Sequence, residues 1–271
     1  MRTRLFYLPS LLVLFLSPAS VFAHQPRIVE QSPITVTDPE ISKAYYGELT
    51  GEQQIYKISS DKPFNLYVGI LEPEISGQTK NTSVMIIKAD SPDSKPYAVL
   101  DGMSFKWTRM WEPFGADSYW TGPEYKGRAK AGDYEIHVLN TMNRGKYTLT
   151  IGETEAFGPK EIWDTLKIVP TLKRDFFEES PLTFILSPFG WGLILTLYAL
   201  VLIIGLLAHY IFRRISKRSR QKGVTRLAAE HRLLLAGFGV CLLLLAVATS
   251  WNPILIFVSG VCLFEASGMA R

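Results

Sequence analysis

The stretch AGDYEIHVLNTMNRGKYTLTIGE, Ala131 to Glu153, decides the fold class. In its first half Tyr134, Ile136 and Val138 alternate with Glu135 and His137, and in its second half Tyr147, Leu149 and Ile151 alternate with Thr148 and Thr150. Successive side chains of a strand point to opposite faces, so a period of two predicts two strands, each with one face on a core. Thr141 to Gly145 lies between them and is rich in residues that tolerate positive φ, which predicts a turn and hence a hairpin.

Outward from this pair, ITVT (34–37), KAYYGELTG (43–51), QQIYKISS (53–60), FNLYVGIL (64–71), SVMIIKA (83–89), YAVL (97–100) and FKWTRMW (105–111) are β-rich runs separated by turn residues. Together they predict an all-β, antiparallel sandwich over residues 24–158. Both cysteines, Cys241 and Cys262, lie outside that region, so the sandwich has to rest on its apolar core and not on disulfides. Residues 107–125, WTRMWEPFGADSYWTGPEY, hold six aromatic rings beside Glu112, Asp117 and Glu124. Alternation puts Trp107 on a core-closing strand face. Beyond Trp111 the turn formers predict a long excursion between strands, with Trp111, Phe114, Tyr119, Trp120 and Tyr125 as a candidate contact surface. Local packing, a partner or membrane surface, and a glycan platform are its three readings.

AGDYEIHVLNTMNRGKYTLTIGE and the earlier GELTGEQQIYKISSDKPFNLYVGIL together resemble the bacterial pre-peptidase C-terminal-like domain. In that family an alanine-glycine turn precedes an alternating strand, a polar turn and a last YTLT-like strand. The resemblance covers about residues 34–153 and implies a jelly-roll-like sandwich serving as an accessory module that binds or steadies something, without catalysis of its own. At the carboxyl end, AEHRLLLAGFGVCLLLLAVATSWNPILIFVSGVCLFEASG resembles the two-helix membrane hairpin sometimes attached to rhodanese domains. That resemblance implies a membrane topology and no activity.

The remaining segments set compartment and topology. Residues 1–23 combine Arg2 and Arg4, an apolar run from Leu5 to Leu16 and small residues before His24, which predicts a secretory signal peptide. Ile162, Trp163, Leu166 and Val169 recur at helical spacing ahead of Pro170, so 159–188 reads as a kinked amphipathic connector. Residues 189–212 and 233–250 are apolar and uncharged, predicting transmembrane helices, and 254–269 predicts a third span or a re-entrant segment. The loop 213–232 carries eight Lys and Arg against Glu230 alone, which predicts a cytoplasmic position. The expected setting is therefore a bacterial plasma membrane, with the sandwich on the outer side in contact with lipid and another envelope protein.

The formal net charge of +4 conceals an asymmetry. Residues 24–185 hold 18 Lys and Arg against 23 Asp and Glu, so the sandwich region is mildly acidic and nucleic acid is not an expected partner. No nucleophile elbow, H-E-x-x-H, C-x-x-C or phosphate-cradling glycine loop occurs, and no enzymatic activity or required cofactor is expected. Cleavage after Ala23 would make His24 the first mature residue, where its amine and imidazole are a copper-chelating pair; His137, on the polar face of its strand, is the candidate second ligand. The other reading is that His24 opens a flexible tail.

Overall fold

The computed structural model describes residues 24–89, 95–215, 227–249 and 252–267, and within its C-terminal helices it describes side chains for 188–203, 234–247 and 254–267. The expected signal peptide (1–23) and most of the expected basic loop (216–226) lie outside the described residues. The chain divides into two units, Met1–Glu178 and Glu179–Arg271.

The first unit is mostly β. Its strands are β1 (Gln25–Ile28), β2 (Ile34–Thr35), β3 (Lys43–Thr50), β4 (Gln54–Ser60), β5 (Phe64–Pro73), β6 (Ser83–Lys88), β7 (Ala98–Leu100), β8 (Thr108–Glu112), β9 (Asp117–Ala129), β10 (Gly132–Leu139) and β11 (Arg144–Ile151). One sheet has the order β1-β3-β11-β5-β9-β8 and the other β2-β4-β10-β6-β7. Both are mixed, which corrects the expected all-antiparallel arrangement: β1 runs parallel to β3, and β2 parallel to β4. The cause is the short segment before β3. It lays one strand on the edge of each sheet, and a chain that crosses between sheets has no hairpin to reverse it.

The hairpin expected over residues 131–153 is corrected as well. Tyr134, Ile136 and Val138, like Tyr147, Leu149 and Ile151, are fully buried in one core cluster, but β10 pairs with β4 and β6 whereas β11 pairs with β3 and β5. Thr141–Gly145 is therefore an arch that carries the chain from one sheet to the other. Alternation shows which residues meet the core and is silent about which sheet supplies them. Asn140 and Asn143 shape the arch. The Asn140 side chain donates to the Arg144 carbonyl at 2.8 Å and accepts from the Met142 and Arg144 amides, while Asn143 adopts φ 45° and its side chain accepts from the Asn140 amide.

At the centre of the core the Tyr56 and Tyr147 hydroxyls meet at 2.9 Å, one from each sheet. Burial pushes both phenols up, Tyr56 being further raised by its partner. Gly47, the cross-strand neighbour of Tyr147, makes room for that ring: a Cβ there would lie 2.5 Å from the Tyr147 hydroxyl.

The expected excursion beyond Trp111 is instead a strand. β8 and β9 form a hairpin whose loop, 113–116, turns through Ala116 at φ 57°, and β9 then pairs with β5 along its length. Pro123 and two glycines disguised it. The β5–β9 register shifts so that Gly122 and Pro123 face a single residue, Ile70; a proline is tolerated at such a bulge because no ladder amide is needed there. Bare Gly122 also admits Trp107, whose ring packs on the core and whose indole N–H donates to the Gly102 carbonyl at 2.8 Å.

The connector comprises α1 (Pro159–Thr171) followed by a π-helical turn, Leu172–Phe176. Pro170, which lacks an amide and crowds the carbonyl four residues back, precedes the change of winding. Leu172, Phe176 and Phe177 pack with Tyr46, Leu71, Met110 and Tyr119 on the outer face of the six-stranded sheet.

The second unit contains a 3₁₀ turn (Pro181–Leu186) and helices α2 (Pro188–Ile215), α3 (Leu227–Thr249) and α4 (Pro253–Ser267). Asn252 caps α4 by accepting from the Ile254 amide at 2.9 Å, and Tyr198 on α2 bonds Ser259 on α4 at 3.0 Å. Among the described residues no helix is long and apolar enough to cross a membrane; the segments expected as spans, 189–212, 233–250 and 254–269, are largely helical. The 15-residue α4 extends only about 22 Å at 1.5 Å per residue.

Replacing Tyr147 with Phe should leave the Tyr56 hydroxyl buried without its partner and cost about 1–3 kcal/mol. Restoring balance with Tyr56→Phe/Tyr147→Phe should recover part of the loss, as read from urea midpoints followed by tryptophan fluorescence. Equal midpoints for wild type and Tyr147→Phe would contradict the role given to the pair.

Candidate functional site

The densest group of ionisable side chains lies where the connector meets the outer face of the six-stranded sheet. The π turn places Leu172, Lys173, Phe176 and Phe177 on one side, because i→i+5 winding brings Phe177 over Leu172; the Phe177 amide donates to the Leu172 carbonyl at 2.9 Å. That winding drives Lys173 inward until only 1% of it is exposed. Its ammonium meets Asp117 Oδ1 at 2.5 Å and the Ala116 carbonyl at 3.1 Å.

Glu112 closes the β8–β9 turn on the same side. Its two carboxylate oxygens accept from the Phe114 and Gly115 amides at 2.6 and 2.7 Å. Burial raises its pKa, the two amides oppose the rise, Asp117 adds to it and Lys173 offsets it. Tyr46 and Tyr119 share a hydroxyl contact at 3.2 Å, and burial pushes both phenols up. His24 completes the wall: its Nδ1 bonds the Ser42 hydroxyl, and burial lowers its pKa below the ordinary 6.5. His24, Tyr46, Glu112, Asp117 and Lys173 border a cavity of about 40 Å³, which is too small for an organic ligand.

Chemically the arrangement neutralises itself. Lys173 answers Asp117, backbone amides answer Glu112, and His24 is held in its neutral form. Among the described residues no group of three or more His, Cys, Asp and Glu side chains is placed to hold a metal ion. The two candidate copper ligands are separated: His24 stands at the edge of the six-stranded sheet, whereas His137 lies on β10 inside the five-stranded sheet, with Nε2 3.0 Å from Glu135.

The five candidate contact aromatics do not form one platform. Tyr119 is buried under Phe177, their rings 5.3 Å apart, and Phe114 packs edge-on against Phe157 at 5.9 Å. Tyr125 packs on the main core and against Tyr97 at 5.8 Å. Trp120 lies beneath the Lys80 ammonium, 3.7 Å from its ring centre, and pairs across the hairpin with Arg109, which is itself bound to Glu74 at 2.7 Å. Trp111, on edge strand β8, is 55% exposed and is the ring most open to a partner.

Lys173 and Tyr46 were not legible as site residues. Lys173 sits in LKRDFF, where a KRD run at helical spacing reads as solvated, and only the π turn turns it inward. Tyr46 follows core-facing Tyr45, so alternation places it on the second face of β3, but the cover over that face comes from residues more than a hundred positions later.

No family model matches the chain, and no curated protein matches it either. Among solved structures, it is similar to the pre-peptidase C-terminal domain of a collagenase from Bacillus anthracis at 13% identity and a TM-score of 0.28, over 48% of this chain and 95% of that one.

Two outcomes follow from the cluster. Lys173→Met should strand Asp117 as a buried charge and cost about 3–5 kcal/mol, with Asp117→Asn/Lys173→Met recovering much of it in urea unfolding. A wild-type midpoint for the single variant would show that the pair does not fasten the connector. For His24, the unfolded chain binds its proton near pH 6.5 and the folded chain only at lower pH. Stability should thus decline as pH falls through 6.5 toward the folded value, and His24→Gln should flatten that part of the pH profile.

Proposed function

We propose that the chain is a non-catalytic binding module whose helical unit holds it to a lipid membrane, with the sandwich presented on the outer face of a bacterial plasma membrane. The observation that carries this reading is the apolar surface of the helical unit. Leu195, Leu200 and Ile203 on α2, Leu234, Phe238, Leu244 and Leu245 on α3, and Ile254 and Val258 on α4 are all exposed, Leu234 at 71%. An apolar area spread over three helices is costly in water and stable against acyl chains or a tightly bound partner. The sequence adds two supports: the basic stretch 213–232, suited to anionic lipid on the cytoplasmic side, and the leader-like residues 1–23.

The sandwich supports binding better than catalysis. Its most concentrated ionisable groups are committed to one another beneath the connector, whereas Trp111 and Trp120, flanked by Lys80 and Arg109, offer aromatic and cationic surface at a sheet edge. Aromatic and arginine side chains carry much of the energy of protein interfaces. Another envelope protein is the partner this surface suits. Its acidic counterpart would meet Lys80, and its apolar side chains would meet Trp111.

The full-length chain should float with phosphatidylcholine–phosphatidylglycerol vesicles and stay bound in high salt and alkaline carbonate, because apolar burial is insensitive to screening. Recovery of the detergent-free chain in the soluble fraction would overturn the membrane reading.

A further inference from the structure

A second feature lies at the opposite kind of place, the open side of the sandwich. Between β1 and β2 the chain steps from the edge of one sheet to the edge of the other, and beside this step is a groove of about 540 Å³. Arg27, Lys43 and Tyr45 line it, Val29 and Ile34 give it apolar wall, and exposed Glu30 stands at its rim. The volume is that of an ordinary small-molecule site, unlike the cavity beneath the connector.

Two cations, Arg27 and Lys43, line the groove, with Glu30 at its rim. Lys43 is buried to 6% exposure, and its ammonium donates to the Thr37 and Asp38 carbonyls at 2.6 and 3.0 Å, leaving its third hydrogen. Arg27 donates to the Pro26 carbonyl at 2.9 Å and to Gln25 Oε1 at 2.7 Å. Neither forms an ion pair with a carboxylate among the described residues. The direct contacts of the Lys43 ammonium are to carbonyl oxygens, and Asp38 acts on it without a salt bridge, so the buried cation retains a positive potential toward the groove.

Tyr45 supplies the third element. It is the cross-strand neighbour of Arg27, its ring stands edge-on to Tyr56 at 5.2 Å, and it is 95% withdrawn from solvent. Its hydroxyl has no hydrogen-bond partner among the described residues, yet it is not sealed in the core, because the residue lines the groove. Burial pushes this phenol up to about 12, with Arg27 pulling the other way, so it is an O–H donor throughout the physiological range. The Lys43 pKa is lowered, chiefly by burial, with Asp38 opposing and Arg27 adding to the shift. Three residues that carry donors thus line one recess with apolar wall beside them.

We propose that this groove binds a small organic anion, its carboxylate held by Arg27, Lys43 and Tyr45 and its apolar body lying against Val29 and Ile34. The charge-assisted donors set the preference for an anion, and the apolar wall sets the preference for an organic one over an inorganic one. The inference is independent of the membrane reading, since every residue it uses belongs to the sandwich.

Calorimetric titration of the full-length chain in detergent, with micelles alone as the blank, tests it using benzoate, its neutral isostere benzyl alcohol, and inorganic phosphate. Benzoate should bind saturably and at least tenfold more tightly than either of the other two. Arg27→Gln should weaken benzoate at least tenfold and Tyr45→Phe about three- to tenfold, in line with hydrogen bonds to a charged group. Tyr45→Phe removes a single oxygen and decides the matter even if Arg27→Gln fails to fold. Absence of benzoate binding, equal binding of benzyl alcohol, tighter binding of phosphate, or unchanged affinity in Tyr45→Phe would each overturn the proposal.

Discussion

The meeting of the Tyr56 and Tyr147 hydroxyls in the middle of the core fixes the relation between the two sheets. Each phenol has an apolar ring that contributes to burial and a polar tip that is expensive to bury alone, so each stabilises the core only while the other is opposite. Much else is arranged around that requirement. Gly47 leaves space for the Tyr147 ring, Tyr45 stands edge-on to Tyr56, and the Asn140–Asn143 arch delivers β11 to the sheet facing β10. A register slip of one residue in either strand would point a hydroxyl outward and its neighbour into the core, which gives the sandwich a strong preference for one pairing.

The outer face of the six-stranded sheet is solved differently. There the chain itself provides the cover, and the cover is held by a mixture of ring contacts and charge. Tyr46 meets Phe176 at 5.1 Å and Tyr119 meets Phe177 at 5.3 Å, Lys173 reaches Asp117, and Lys146 binds Glu178 and the Asp175 carbonyl at 2.8 Å. The apolar contacts supply most of the gain. The buried ion pair adds little net stability and much selectivity, because only one placement of the connector satisfies both charges.

The sequence made the inward faces legible and the topology much less so. Tyr134, Ile136, Val138, Tyr147, Leu149 and Ile151 are all core residues, as a period of two requires, because alternation is local and depends on strand geometry alone. Partner choice is not local, so the arch at 141–145 resembled a hairpin and the parallel edge strands went unseen. β9 was hidden by Gly122, Pro123 and Gly127, whose ordinary meaning is a turn; the first two form a bulge that only β5 reveals, and Gly127 pairs in register with Leu66. The aromatic stretch divided for the same reason: one face of the β8–β9 hairpin receives the connector, the other carries Trp111 and Trp120, and the sequence shows the rings without the cover. Lys173 needed knowledge of a π turn, which no residue pattern in LKRDFF announces.

The two short strands at the beginning of the described chain have a consequence for solubility. β1 and β2 occupy one outer edge of each sheet, and both are supplied by the same dozen residues. Without them, β3 and β4 would present unpaired backbone amides and carbonyls to solvent at the same moment, and open strand edges are templates for intermolecular pairing. A single proteolytic nick or an over-trimmed amino terminus in this region would therefore convert a self-contained module into one that is adhesive along two edges. The integrity of that segment then protects against aggregation independently of what the rest of the surface binds.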